Sequence, residues 1–248
     1  MNKTRVLSID FDYFQRVSED TLKKCYPDGI DNGTEISKVV WASHYADKRQ
    51  AELLEQVGIN EDELTLAKQM LTRQKKGVPV LVTNSHRHIY DFIHDYVEKS
   101  KGLIVTNVDM HHDFENDNSR VDCGNWIGFL NKEYEHFKWN WIMNEVTDDM
   151  YGLQKGFSQD LIRTSLAEIA DESYDMVFIC RSDIWTPPHL DKYFDDLLKT
   201  AIRHFDKVLA EQAVSSPREI DDIIKSIKFH TQQYEKKNTD RKEISYEI

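Results

Sequence analysis

Two carboxylates and an imidazole at alternate positions, Asp109, His111 and Asp113, are the residues of this sequence best suited to chemistry. They follow the apolar run Leu103-Ile104-Val105, which predicts a buried strand that ends near Asn107. Extended backbone sends alternate side chains to one side, so all three are expected to face one cleft. Such a cluster is costly to bury without a cation, which favours a metal site. The alternative is a solvated acidic loop.

Two more predicted strands end in residues of metal-ligand type. The apolar run Arg5–Ile9 leads into Asp10 and Asp12, although acidic residues are poor in strand interiors. The run Val80–Thr83 is followed closely by His86, at the turn before a helix. Turn and capping roles for the aspartates, and a cap or surface role for the histidine, are the alternatives.

The positions of these residues depend on the fold class, which the order of elements indicates. Strands alternate with helices along the chain, a pattern typical of an α/β fold with a mostly parallel sheet flanked by helices. Strand ends then meet at the carboxyl edge of the sheet, where open α/β sheets place their sites. This edge is predicted to gather Asp10, Asp12, His86, Asp109, His111 and Asp113.

The composition of this cluster favours a pair of metal ions. Oxygen-rich sets with imidazole suit Mn²⁺, Fe²⁺ or Mg²⁺ better than the thiolate-rich sites of structural zinc. Four carboxylates balance two divalent ions, and six ligands exceed the needs of one tetrahedral zinc.

The remaining elements are predicted from periodicity and from capping and breaking residues. Residues 19–34 read as a surface loop, and residues 235–248 as a polar tail of one domain that spans 1–248. Further strands are expected at 139–143 and 175–180, the latter as the last strand. Helices are expected at about 35–57, 61–76, 89–99, 158–170 and 189–213, with a final helix that opens at 215–217.

Composition and charge narrow the class of protein. The 248 residues are 40% hydrophobic and 31% charged, as in ordinary globular proteins. The formal net charge of −12 argues against nucleic-acid binding and modestly favours cationic partners. Three cysteines without a CxxC pair are consistent with a reducing cytoplasm. No stretch has the length of a membrane span, and the oligomeric state is open.

Five segments together resemble the arginase–agmatinase–deacetylase superfamily. They are most similar to a divergent arginase-like branch whose bacterial members include peptide arginases. The segments are Ile9–Phe14, His86, Asp109–Asp113, Asn125–Ile127 and Arg181–Pro187. The resemblance implies a three-layer arginase/deacetylase-like fold. Its strand order is rearranged at the N-terminus, because the family's DxD usually follows the DxHxD.

The resemblance also implies a ligand set for two Mn²⁺ ions. Asp109 and Asp10 are expected to bridge the ions. His86 and Asp113 complete one site, and His111 and Asp12 complete the other.

The remaining catalytic roles follow from the same resemblance. An activated water attacks a guanidinium carbon, and Asp113 holds that water. Ile127 stands where ordinary arginases carry a proton-shuttling histidine, so His112, His88 or His44 would have to replace it, and His112 is the first choice. Asp183 is expected to pair with the guanidinium, unless it is a turn or helix-capping aspartate. Glu115 and Asn125 are the other expected substrate contacts.

The expected substrate is arginine within a ribosomally made precursor peptide, converted to ornithine with release of urea. The segment 114–116 does not resemble the one by which arginases hold free arginine. A small-molecule ureohydrolase or a deacetylase of the same superfamily is the first alternative. A non-enzymatic binding protein with a decayed site is the second.

Overall fold

The strand β1 (Lys3–Asp10) is central to the computed structural model of the chain, which describes residues 3–26, 33–114, 120–144, 146–147, 162–163 and 165–244. The strands that follow are β2 (Gln15–Arg16), β3 (Gly58–Ile59), β4 (Val80–Thr83), β5 (Gly102–Asp109), β6 (Phe137–Met143), β7 (Ile162–Arg163), β8 (Met176–Cys180) and β9 (Val208–Ala210).

Seven of these strands form one parallel sheet in the order β7-β6-β5-β1-β8-β4-β9, and β2 and β3 pair separately. The central strand β1 has β5 on one side and β8 on the other. All five residues of β8 are buried, as are most of β1 and β5. Continuous apolar burial is what a parallel strand covered on both faces requires.

Helices cover both faces of the sheet. They are α1 (Glu19–Cys25), α2 (Thr34–Ala46), α3 (Lys48–Leu54), α4 (Glu61–Arg73), α5 (His88–Tyr96), α6 (Trp126–Glu133), α7 (Asp191–His204) and α8 (Asp221–Ile244). Successive residues of β1 enter two different cores. Leu7 joins the core that contains α4 and α7, whereas Val6 joins the core that contains α5 and α6. The predicted three-layer α/β fold is therefore confirmed.

The prediction of one continuous helix at 35–57 is wrong, because the segment forms two helices. It is divided into α2 and α3 at Asp47, whose side chain accepts hydrogen bonds from the backbone N–H groups of Arg49 and Gln50. An aspartate in this capping geometry starts a new helix, because it satisfies N–H groups that a continuous helix would pair internally. The helices predicted at 61–76 and 89–99 are present but shorter, as α4 and α5.

The predicted helix at 189–213 is also wrong, because α7 ends at His204 and β9 follows. Consequently β8 is not the last strand. The final helix begins at Asp221 and not at 215–217, and it continues into the polar tail as far as Ile244.

Two other predictions were wrong in local structure. The expected loop at 19–34 contains α1, which begins after the cap Ser18. Of the helix expected at 158–170, residues 158–161 lie outside the described residues, 162–163 form β7, and Leu166–Ile169 make one 3-10 turn. In the described part of the chain, no helix combines the length and apolar character needed to cross a membrane.

Candidate metal centre

The ends of β1 and β5 have the same local geometry. Asp10 Oδ1 accepts a hydrogen bond from the backbone N–H of Asp12 at 3.2 Å, and Asp109 Oδ1 accepts one from the N–H of His111 at 2.7 Å. Both segments are thus turned and not extended, which corrects the alternation expected from the sequence. Short aspartate side chains favour such turns, because they can replace a backbone acceptor two residues away.

Strand register brings the two turns together. Ile9 of β1 is opposite Val108 of β5, so the next residues, Asp10 and Asp109, leave the sheet side by side. Asp12 Oδ1 accepts a hydrogen bond from the backbone N–H of Met110 at 3.2 Å, which ties the two turns to each other.

His86 reaches this point from β4 across the end of β8. Its ring stacks on Phe178 of β8, with the centroids 5.6 Å apart and the planes 5° from parallel. Nε2 lies 2.6 Å from the hydroxyl oxygen of Ser8. If this contact is an Nε2–H donation, the lone pair of Nδ1 faces the cluster. Nδ1 is 3.1, 3.0 and 3.0 Å from Oδ2 of Asp10, Asp109 and Asp113.

Asp113 is turned into the cluster by an unusual backbone conformation. Its φ of 54° lies in the left-handed region, which non-glycine residues rarely occupy. The indole N–H of Trp126 donates to Asp113 Oδ2 at 2.6 Å, and the backbone N–H of Ile127 donates to its carbonyl oxygen at 3.1 Å. The start of α6 thus fixes Asp113, and Ile127 itself is a buried core residue.

A second group of ligand atoms lies around His111. His111 Nδ1 is 2.9 Å from Oδ2 of Asp12 and 3.5 Å from Oδ1 of Asp109. Asp109 therefore contributes one oxygen to each histidine, Oδ2 to His86 and Oδ1 to His111. Asp10, the other expected bridge, faces His86 with Oδ2, and its Oδ1 accepts the N–H of Asp12.

The charges of the cluster are strongly perturbed by burial. Burial and the neighbouring carboxylates Asp10 and Asp109 raise the pKa of Asp12 to about 8. Burial and the charge of Asp109 raise the pKa of Asp10 and Asp113. Burial alone would raise the pKa of Asp109 as well, but hydrogen bonds with His111 and His86 bring it below its usual value. Carboxylates held this close without a cation retain protons.

The two histidines respond in the opposite way to their surroundings. Burial alone would lower the pKa of His86 and His111, yet the carboxylates raise both pKa values well above the usual range for histidine. His86 is 2% exposed, whereas the side chain of His111 is 20% exposed. The cluster therefore meets solvent on the His111 side.

The donor atoms fit a divalent metal ion. His86 Nδ1 is buried. In the described part of the chain no group forms a well-aligned hydrogen bond with it, although three carboxylate oxygens lie 3.0–3.1 Å away. An octahedral ion with ligands at about 2.1 Å places adjacent donor atoms about 3.0 Å apart. Among the described residues, two groups could hold an ion, Asp10-His86-Asp109 and Asp12-Asp109-His111. The predicted six residues are thus brought together, with Asp113 at the edge of the first group.

Comparison of the chain with protein-family models, with curated proteins and with solved structures finds no match. The resemblance to the arginase-like superfamily stays a prediction from motifs, and the chemistry must be argued from the geometry of the centre.

Asp183 does not offer a free carboxylate. It is fully buried, and Arg181 grips it with Nε at 2.5 Å from Oδ1 and Nη2 at 3.0 Å from Oδ2. Oδ2 also accepts a hydrogen bond from the hydroxyl of Thr34 at 2.6 Å. The guanidinium of Arg218 lies beside this pair and donates to the backbone carbonyl of Asp183. This geometry favours the structural alternative over the expected pairing with a substrate guanidinium.

His112 lies beside the centre as a neutral imidazole. Its Nδ1 accepts a hydrogen bond from the backbone N–H of Phe114 at 2.9 Å, so the ring proton is on Nε2. Burial and the positive charge of His111 lower the pKa of His112. In this tautomer the Nδ1 lone pair accepts the N–H of Phe114 and Nε2 presents an N–H, so His112 is suited to donate a hydrogen bond.

The other residues predicted to act in catalysis or substrate binding are Asn125, Glu115, His44 and His88. Asn125 braces its own loop, because Oδ1 accepts the N–H of Asp122 at 2.9 Å and Nδ2 donates to the carbonyl of Arg120 at 3.0 Å. Glu115 lies outside the described residues. His44 hydrogen bonds with Gln50, and His88 lies 3.7 Å from Glu211.

Sequence reasoning missed two supporting residues that period-two spacing could have found. Ser8 is two residues before Asp10 in β1, and Asn107 is two residues before Asp109 in β5. In a strand such residues share a face. Ser8 contacts His86, and Asn107 Nδ2 donates to Asp109 Oδ2 at 3.2 Å. Trp126 lies in the motif segment Asn125–Ile127, but spacing alone does not indicate its contact with Asp113, which is reached through a turn.

Proposed function

We propose that this protein is a dinuclear manganese hydrolase that converts arginine side chains of a precursor peptide to ornithine and urea. One observation carries the dinuclear part of the proposal: the two oxygens of Asp109 face two different histidines. A carboxylate in this position is suited to bridge two cations.

The donor set supports manganese as the metal. Asp10, His86 and Asp109, with Asp113, would hold one ion; Asp12, Asp109 and His111 would hold the other. Two imidazoles and four carboxylates are ligands that suit Mn²⁺, and four negative charges balance two divalent ions. The ions, when bound, lower the pKa of water so that hydroxide is available near neutral pH.

Asp113 is the residue best placed to handle protons in this reaction. Trp126 holds its carboxylate at the edge of the cluster, and the backbone of α6 holds its carbonyl oxygen. From there it can accept a hydrogen bond from the attacking water and return that proton to the departing amine. His112, with its proton on Nε2, would assist by donating a hydrogen bond.

Arginine in a peptide is supported by the motifs and by the charge of the chain. The five motif segments resemble an arginase-like branch, and residues 114–116 lack the likeness to a free-arginine-binding segment. The net charge of −12 would attract a basic peptide. Because the three cysteines of the chain include no CxxC pair, which is consistent with a reducing compartment, we place the reaction in the cytoplasm.

Incubation of the manganese-loaded protein with synthetic peptides that each contain one arginine tests this function. We expect a loss of about 42 Da per converted residue and an equal amount of urea, as hydrolysis of the guanidino group requires. Matched peptides with citrulline or acetyl-lysine instead of arginine, and free L-arginine, serve as controls.

The controls separate the alternatives. Efficient hydrolysis of free arginine with peptides untouched would replace the proposal by a small-molecule ureohydrolase. Release of acetate from acetyl-lysine would indicate a deacetylase. A fully metal-loaded protein that releases urea from none of these compounds would overturn the proposal.

A further inference from the structure

Trp185 lies at the solvent side of the metal centre. Of the two centre histidines, His111 is the one whose side chain reaches solvent, at 20% exposure. The ring of Trp185 is 4.7 Å from the ring of His111 and is itself only partly buried. A molecule that approaches the centre past His111 therefore meets an indole.

Backbone contacts hold Trp185 in place. Its carbonyl oxygen accepts a hydrogen bond from Nε2 of the buried Gln15 at 2.8 Å. Its N–H donates to the carbonyl of Ser182 at 2.9 Å, in a turn where Ser182 has a φ of 56°. The inner part of the indole packs against the core that contains α4 and α7. A side chain fixed in this way can bind a ligand with little loss of its own conformational entropy.

The chemistry that an indole supplies here is recognition of a planar cation. The face of an indole attracts cations, and the flat guanidinium group stacks on it. The nearest acidic residue in sequence, Asp183, is already paired with Arg181. Recognition of a guanidinium at this opening therefore needs a group other than Asp183.

We infer that Trp185 is a substrate-recognition residue whose indole stacks on the guanidinium group that enters past His111. This inference rests on the proposed function and adds the residue that selects for a planar, positively charged side chain.

Binding measurements test the inference without relying on turnover. The manganese-loaded protein is titrated by calorimetry with the amide of N-acetyl-arginine and, as its neutral isostere, the amide of N-acetyl-citrulline. Fluorinated tryptophans at position 185 keep the shape of the side chain while they weaken the negative potential of its face. With increasing fluorination, we expect the Kd of the arginine ligand to rise stepwise, by about tenfold in all, and the Kd of the citrulline ligand to stay constant.

The variants Trp185→Phe and Trp185→Leu provide a second series, with metal content and thermal unfolding measured for each. Phenylalanine should retain part of the arginine affinity and leucine should lose it. Equal Kd values for the arginine ligand across the fluorinated series, or an equal loss for arginine and citrulline ligands, would overturn the stacking. In that case urea release by the wild type would still support the proposed function. Failure of the metal-loaded wild type to bind the arginine ligand would overturn this inference, and the absence of urea from peptides would separately overturn the function.

Discussion

The position of His86 depends on a residue that is not itself a ligand. Ser8 is a fully buried residue of β1, and its hydroxyl oxygen lies 2.6 Å from His86 Nε2. A partner for the second ring nitrogen fixes both the tautomer and the orientation of a metal-binding histidine. Ser8 therefore determines whether the Nδ1 lone pair faces the three carboxylates.

Ser8→Ala should weaken Mn²⁺ binding by about tenfold to one-hundredfold, because removal of such a partner frees the ring and its tautomer. Calorimetric titration of the metal-free protein with Mn²⁺ measures the effect. Ser37→Ala is the matched control, since Ser37 is also fully buried and donates its hydroxyl to the carbonyl of Thr34. If Ser8→Ala bound Mn²⁺ as tightly as the control, the contact with Ser8 would have no role in the centre.

Residue types predicted the members of the buried Asp/His cluster, but not the way in which these residues converge. Asp10 and Asp109 were found because acidic residues rarely end a buried strand without a reason. The convergence itself arises from turns, in which each aspartate accepts the N–H of the residue two positions later. Asp183 was expected to pair with a substrate guanidinium, whereas its carboxylate contacts Arg181, two positions earlier in the sequence, and spacing alone does not decide between these partners.

At the scale of elements, buried ion pairs join the end of β8 to the segment after β9. Arg181 donates to both oxygens of Asp183 and to the carbonyls of Ala213 and Ser216. Arg218 is paired with Asp191 at the start of α7. These side chains fix the position of the chain around the carboxyl edge of the sheet.

Asp183→Asn should destabilise the fold by about 3 kcal/mol, because loss of one partner leaves the buried guanidinium of Arg181 without its counter-charge. Denaturant unfolding with and without manganese measures the change. Asp20→Asn, which removes an exposed pair with Lys24, should have little effect. A variant Asp183→Asn with normal stability and a much reduced rate would return Asp183 to the role of a guanidinium-binding residue.

The central strands of the sheet were predictable because they are short, mostly apolar runs that are largely buried. Val80–Thr83 has the predicted bounds, and the central strands differ from prediction by a few residues. Helices were harder, because a capping residue such as Asp47 divides a continuous pattern. The strand β9 was missed because its apolar run, Val208–Ala210, has only three residues, which is too short to distinguish a strand from the end of a helix.

At the scale of the whole molecule, the metal-free centre lowers the free energy of unfolding by an amount that depends on pH. The pKa of Asp12 is raised to about 8, and those of Asp10, Asp113, His86 and His111 are also raised. Groups with raised pKa values in the folded state stabilise it at low pH, and this contribution is lost as pH rises through those values. The lowered pKa of Asp109 affects stability only at pH values below 3.8, the usual pKa of this carboxyl group.

Without metal, the unfolding temperature should therefore fall as pH rises from about 5 to about 8. With Mn²⁺ the trend should reverse, because deprotonated ligands bind the ion more tightly at higher pH. Thermal unfolding at several pH values, with chelator or with excess Mn²⁺, measures both trends. A metal-free protein whose unfolding temperature rises over this range would contradict the protonation of the cluster.

The metal content of wild type and two variants tests the dinuclear centre most directly. After loading with Mn²⁺ and removal of excess ion, elemental analysis should find two ions per chain in the wild type. Asp109→Ala should retain almost none, because its two oxygens face both histidines, and Asp12→Ala should retain one. Asp122→Ala, outside the cluster, should retain two. One ion or none in the saturated wild type, or two in Asp109→Ala, would contradict the dinuclear centre.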